Sequence, residues 1–173
     1  MCIRDSINAM SYWTWLAQPN LWGEQKLKDY IGKLAAQKPV RERYGAMVSH
    51  IVSGEYPIST GLISGNVEVA RRKGQPIESI KVTPIRDAAY GLVIPKNVQH
   101  PNAAILLALA NVTPEGQAIH DKFAATTAAW VPGTAAAQFA SQNKIVSPDL
   151  DFLSKQGPRL QTELEDIMRA GGK

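Results

Sequence analysis

The sequence predicts an α/β fold, and three observations carry that prediction. The spacing of apolar residues changes after Ser53, from the three-to-four step of helices to short β-prone runs. Glycine and proline punctuate those runs. Beyond residue 100 the chain returns to helix-like segments, three of which open with a polar residue followed by proline. Strand, helix, strand, strand, helix is the alternation of α/β domains, although three strands make a thin sheet.

Residues Trp22 to Gln37 read as an amphipathic helix, with Leu27, Ile31 and Leu34 on one stripe, lysines between them and Pro39 as the stop. A second helix is expected from about Arg41 to Ser53, striped by Tyr44, Met47, Val48, Ile51 and Val52, with Gly54 closing it. Tyr56–Thr60 is β-prone and ends at Gly61. Ser64 is a candidate cap for a third helix, Gly65 to Lys73; Arg71, Arg72 and Lys73 suit its C-terminal dipole, and Gly74 is the stop. Ser79–Thr83 and Ala89–Ile94 are strand candidates separated by Pro84–Ala88. His100-Pro101, Thr113-Pro114 and Ser147-Pro148 each read as a cap followed by proline at the first helical position. The helix from Pro101 is apolar almost all round, the pattern of a buried helix. The last helix carries Leu160, Leu164 and Ile167 on one face.

Composition narrows the classes. The chain has 173 residues, 45% hydrophobic and 20% charged, which is enough apolar content to bury a core. The net charge is +4, with no run of Lys or Arg longer than two apart from Arg71-Arg72-Lys73, so a mixed solvated surface is favoured over a nucleic-acid site. The single cysteine, Cys2, excludes an intramolecular disulfide. The longest apolar stretch, Ala103 to Ala110, falls far short of the ~20 residues of a membrane span. Residues 1–10 lack the apolar core of a signal peptide. Their start, Met-Cys-Ile-Arg-Asp-Ser, resembles a translated adapter, so they are set aside as a non-native leader and the true N-terminus is expected to be missing.

Catalytic patterns are not found. Gly61-Leu-Ile-Ser64-Gly65 has the wrong spacing for a nucleophile elbow, and neither glycine-rich phosphate loop is present. His50, His100 and His120 are too scattered for a metal site. His50 lies near its helix's apolar stripe and reads as structural; His100 reads as a cap. Glu163, Glu165 and Asp166 read as a solvated helix face, and no acid–base pair stands out. No catalytic residue, metal ligand or cofactor is expected.

Four segments resemble one family. Gly54-Glu-Tyr-Pro-Ile58, Arg72-Lys-Gly-Gln-Pro-Ile77, His100-Pro-Asn-Ala-Ala104 and Thr113-Pro-Glu-Gly-Gln117 resemble, in order and spacing, segments of the extracellular solute-binding proteins of bacterial ABC importers, nearest the iron(III)-type branch. The resemblance implies a two-lobed type II periplasmic-binding fold with the N-terminal lobe missing. Residues 11–95 would form most of the C-terminal lobe. Residues 96–173 would form the return crossover and the helices that pack on the first lobe, leaving a bare apolar face at Ile105, Leu106, Leu107 and Leu109. The implied role is capture of a small solute, an iron complex or another small anion, in an interlobe cleft and delivery to a membrane permease. The implied location is the periplasm.

Ser59, Thr60 and Gly61 lead to Ser64 and Asn66 at a helix start, where hydroxyls and free amides suit an anion; an ordinary capped loop is the plain alternative. The family's second binding loop would fall at Pro84–Tyr90. There Arg86 can pair with a carboxylate or phosphate through its planar fork, against a surface pair with Asp87. Tyr90 can donate a hydroxyl or ligate iron, against simple half-burial; the family's adjacent tyrosines are not found. Two other readings stand beside this one: the effector domain of a LysR-type transcription regulator, and a transferase on the same scaffold.

Overall fold

Leu27, Ile31 and Leu34 return every three or four residues, and in the computed structural model this stripe is buried on helix α1, Gly23–Ala36. The structure describes residues 2–4, 9–80, 83–87 and 91–171. It is mixed α/β and helix-rich. The chain forms two compact units, Met1–Leu62 with Pro148–Lys173, and Ile63–Ser147. The boundary expected near residue 95 lies inside the second unit.

In the first unit α1 packs against the C-terminal helix, here α7, Leu150–Gly171. Leu160 and Leu164 are fully buried opposite the α1 stripe, and Met168 adds the next turn. Each such side chain contributes about 1.5–3 kcal/mol of burial. Close approach requires a small residue at the end of the contact: a Cβ on Gly171 would lie 2.5 Å from that of Ala35. Ser147-Pro148 does not start this helix as expected. Asp149 does: its Oδ1 accepts the Phe152 N–H at 3.0 Å, and its negative charge suits the positive end of the helix.

The same unit holds a three-stranded parallel sheet, ordered β2-β1-β3 from β1 Cys2–Arg4, β2 Val40–Glu42 and β3 Ser59–Thr60. Cys2 pairs with Val40 on one side and Ser59 on the other, so part of the segment set aside as a leader is the central strand. Arg41, expected at a helix start, lies in β2. The extended Arg43 separates this strand from α2, Tyr44–Val52, whose stripe buries Met47. Arg41 reaches Glu165 of α7 through both terminal nitrogens at 3.2 Å, which ties the sheet to the helix pair. Tyr56–Ile58 remain outside the strand.

In the second unit α3, Ser64–Arg72, buries Val67 and Ala70 and ends at Gly74, whose φ of +73° accommodates the reversal. Ser64 does not cap it: the cap position is Ile63, no side chain bonds the first turn, and Ser64 is already helical. The expected strands also move. Ser79 and Ile80 are irregular, and Gly91–Ile94 are irregular and exposed. The strand here is β4, Ile85–Arg86, inside the expected separator, and it pairs in parallel with β5, Ile145–Val146. Residues 81, 82 and 88–90 lie outside the described residues.

Helices α4, Pro101–Val112, and α5, Pro114–Ala124, meet at Thr113. Its hydroxyl accepts from the Gly116 N–H at 3.2 Å and donates to Ala110 O at 2.9 Å, serving both helix ends. Gly116 is required there, because a Cβ would fall 1.9 Å from Ala110 O. Thr134 caps α6, Ala135–Gln142, in the same manner. Arg72 joins α3 to α5 by a 3.0 Å ion pair with Asp121. Helix α4 is not buried as its composition predicts: none of its residues is, and only Ala104, Ala108 and Asn111 turn half inward.

Candidate functional site

Strand β3 places Ser59 and Thr60 at successive positions, so their side chains leave opposite faces of the sheet. Both hydroxyl oxygens are nevertheless buried, with no hydrogen-bond partner among the described residues. Gly61 follows with φ +87°, a left-handed turn that ends the strand immediately after the two hydroxyls. These three residues lie in the first unit.

In the second unit, Ser64 and Asn66 stand exposed in the first turn of α3. Gly65 between them is buried, and a Cβ there would meet the carbonyl oxygens of Ala124 and Ala125 at 2.7 and 3.1 Å. The negative end of α5 therefore abuts the positive end of α3, and the two dipoles offset each other. The Asn66 N–H is already committed to Ile63 O at 2.9 Å. This leaves the α3 terminus a weaker anion site than its sequence alone implies.

Arg86 stands on another element, β4. Its Nε is buried without a partner among the described residues. No pair forms with Asp87, whose Oδ2 accepts from the Ser147 hydroxyl at 3.2 Å while its N–H bonds Val146 O at 2.9 Å. The Arg86 side chain is half-buried on β4, and no carboxylate among the described residues pairs with it. Tyr90 lies outside the described residues.

Two of the three histidines are occupied locally. His50 Nδ1 lies 2.5 Å from Glu55 Oε2, and its ring meets Tyr56 edge-on at 5.3 Å. His120 Nε2 lies 2.6 Å from Asn111 Oδ1. Because Asn111 Nδ2 donates to Leu107 O, that Oδ1 is the acceptor and His120 the donor. His100 occupies the α4 cap position without a side-chain bond. Among the described residues no group of three or more His, Cys, Asp or Glu could hold a metal, and no helix is long and apolar enough to cross a membrane.

Perturbed ionisable groups include Arg71 and Arg72 of α3, raised by their carboxylate partners, and a set on the rim of the α1–α7 pair. Arg159, hydrogen-bonded to Glu24 at 2.6 Å, holds that carboxyl below its usual range. Lys28, 2.6 Å from Glu163, does the same to Glu163 with help from Arg159. Such exposed pairs read as a structural clamp.

Sequence reasoning passed over other features. The indole N–H of Trp15 and the hydroxyl of Thr127 are also buried without partners among the described residues. An open concavity of about 580 Å³ lies in the second unit between Val112, Ala118 and Lys122 on one side and Trp130 to Gly133 on the other. Trp130, 85% exposed, was its one visible sequence signal, as an aromatic residue interrupting an alanine-rich stretch.

No protein-family model, curated protein or solved structure matches the chain.

Proposed function

We propose that this chain is the solute-gripping part of a binding protein serving a bacterial ABC importer, the C-terminal lobe of a two-lobed type II periplasmic-binding fold. One observation carries the reading. Ser59, Thr60 and Arg86, singled out from sequence for ligand contact, each hold a buried polar atom without a partner among the described residues. Such an atom costs about 1–3 kcal/mol when left unsatisfied. Hydroxyl and guanidinium groups both donate, so an oxyanion, free or complexed with iron, is the ligand class that suits such an atom in either unit. The turn at Gly61, directly after a parallel strand, agrees with the habit of parallel sheets to bind ligands beyond their strand ends.

In this reading the first unit offers Ser59, Thr60 and Gly61 to a solute, and the second offers Ser64, Asn66, Arg86 and Tyr90. The protein binds without transforming it. A first lobe packs on α4 and closes over the solute, and the permease reads the closed form in the periplasm. Closure is driven by the ligand's greater affinity for the closed state. A single lobe supplies half of the contacts, so its own affinity is weak.

The test is thermal stabilisation of the chain by phosphate, sulfate, citrate and ferric citrate. The reading expects at least one of them to stabilise saturably with a Kd near ~1 mM, about 4 kcal/mol of binding energy. Thr60→Val should abolish the shift of the first unit, and Arg86→Gln that of the second. Stabilisation that survives both substitutions, or that none of these anions produces, would overturn it.

A further inference from the structure

The open concavity of about 580 Å³ in the second unit has the size of a small-molecule site, for which about 300–1,000 Å³ is usual. Helix α5 forms one wall, and the turn that carries Trp130 and Pro132 forms the other. Of α4 only its last residue, Val112, takes part, so the rest of that helix stays free.

The polar side chains around the concavity are nearly all committed. Gln117 donates from Nε2 to Asn111 O at 2.7 Å, and its Oε1 accepts the Ala128 N–H at 2.8 Å. Asp121 accepts the Ala135 N–H at one oxygen and pairs with Arg72 through the other, both at 3.0 Å. The Thr134 hydroxyl donates to Val131 O at 2.8 Å and accepts the Ala137 N–H at 3.2 Å. Lys122 differs. No carboxylate among the described residues pairs with it, and its ammonium lies over the Phe123 ring at 5.2 Å. A ring face attracts a cation but leaves its charge in place. A ligand entering here therefore meets one uncompensated positive charge and no uncommitted carboxylate, amide or hydroxyl. Opposite stands Trp130, 85% exposed, whose large ring is left almost wholly in water.

We propose that this concavity binds a small aromatic carboxylate, its ring against Trp130 and its carboxylate on the Lys122 ammonium. A cationic ligand would meet Lys122 as a like charge, and a neutral one would leave it unpaired. Asp121 does not repel the anion, because Arg72 already neutralises it. An aromatic body suits the indole, since paired rings gain more than their area of burial alone. The site lies wholly in the second unit and does not rest on the transport reading.

Isothermal titration calorimetry of the full chain with naphthoate and with its neutral amide tests the proposal. The expected result is saturable one-to-one binding of naphthoate with a Kd of ~0.1–1 mM, and about 5-fold weaker binding of the amide. Lys122→Met keeps the aliphatic stem and should erase that preference. Trp130→Ala should weaken both probes at least ~10-fold. Both positions are exposed, so helical circular dichroism should stay the same. Lys155→Met, at an exposed lysine of the first unit, should leave binding unchanged. No saturation up to ~5 mM, equal affinity for acid and amide, a preference that survives Lys122→Met, binding that survives Trp130→Ala, or equal disruption by Lys155→Met would each overturn the proposal. Failure here is separable from failure of the oxyanion reading, because Thr60→Val and Arg86→Gln should leave naphthoate binding as it is.

Discussion

Thr60→Val should make the free protein more stable, which is the opposite of what most substitutions at half-buried positions do. The Thr60 Oγ1 is buried in β3 with no partner among the described residues. Valine keeps the branched shape and the strand preference while removing the unsatisfied hydroxyl. The relief is the desolvation cost of that group, about 1–3 kcal/mol on mutational scales. For a chain of this size each kcal/mol moves the thermal midpoint by roughly 2–4 °C. With a urea m-value of about 2 kcal/mol/M, the denaturation midpoint should rise by roughly 0.5–1.5 M. Tryptophan fluorescence in a Trp130→Phe background reads this cleanly, because Trp13, Trp15 and Trp22 then report the first unit alone. An unchanged or lowered midpoint would refute the reasoning, because the hydroxyl would then be satisfied in the folded chain and not held ready for a ligand.

Other consequences follow from the packing and the charges. Leu164→Ala, at a site with 0% exposure in the α1–α7 contact, should cost about 3–5 kcal/mol by denaturant unfolding of the first unit. Gly116→Ala should destabilise the second unit by about 2–3 kcal/mol, because the new Cβ meets a backbone oxygen that cannot swing aside. Arg159 and Lys28 hold the Glu24 and Glu163 carboxyls below the ordinary carboxylate value of 4.5 in the folded chain. Their contribution is therefore fully present above that value and is lost as the pH falls through the depressed folded pKa values. Glu24→Gln with Glu163→Gln should flatten the acid limb of stability against pH, measured as thermal midpoints between about pH 6 and 3.

Much of the helical architecture was legible because periodicity and caps are local. Leu27, Ile31 and Leu34 announced α1, Thr113-Pro114 announced α5, and Gly74 marked the end of α3 within a residue. The strands were far less legible. Each has two or three residues, too few to show an alternation, and β4 formed where a proline suggested only a separator. Cys2–Arg4 read as a leader because its pairing partners, Val40 and Ser59, lie far along the chain and leave no mark on local sequence. Helix α4 read as buried because composition registers what a side chain prefers and not what stands beside it. Among the candidate residues, Ser59, Thr60 and Arg86 were chosen for chemistry and position. Their missing partners are a three-dimensional property that no spacing encodes. The same applies to Ser64, whose promise as a cap gave way to Ile63 once the first turn of α3 packed on the end of α5.

The most direct measurement is a heteronuclear NMR titration of the chain with phosphate and with citrate, following the Thr60 and Gly61 amides and the Arg86 Nε–H. Solute binding predicts that the Thr60 and Gly61 signals shift together and saturate with one Kd and lose the effect in Thr60→Val, and that the Arg86 signal, followed separately, also saturates. If they stay still up to ~50 mM of both anions, a concentration that would nearly fill a ~1 mM site, these residues do not grip an oxyanion and the account fails.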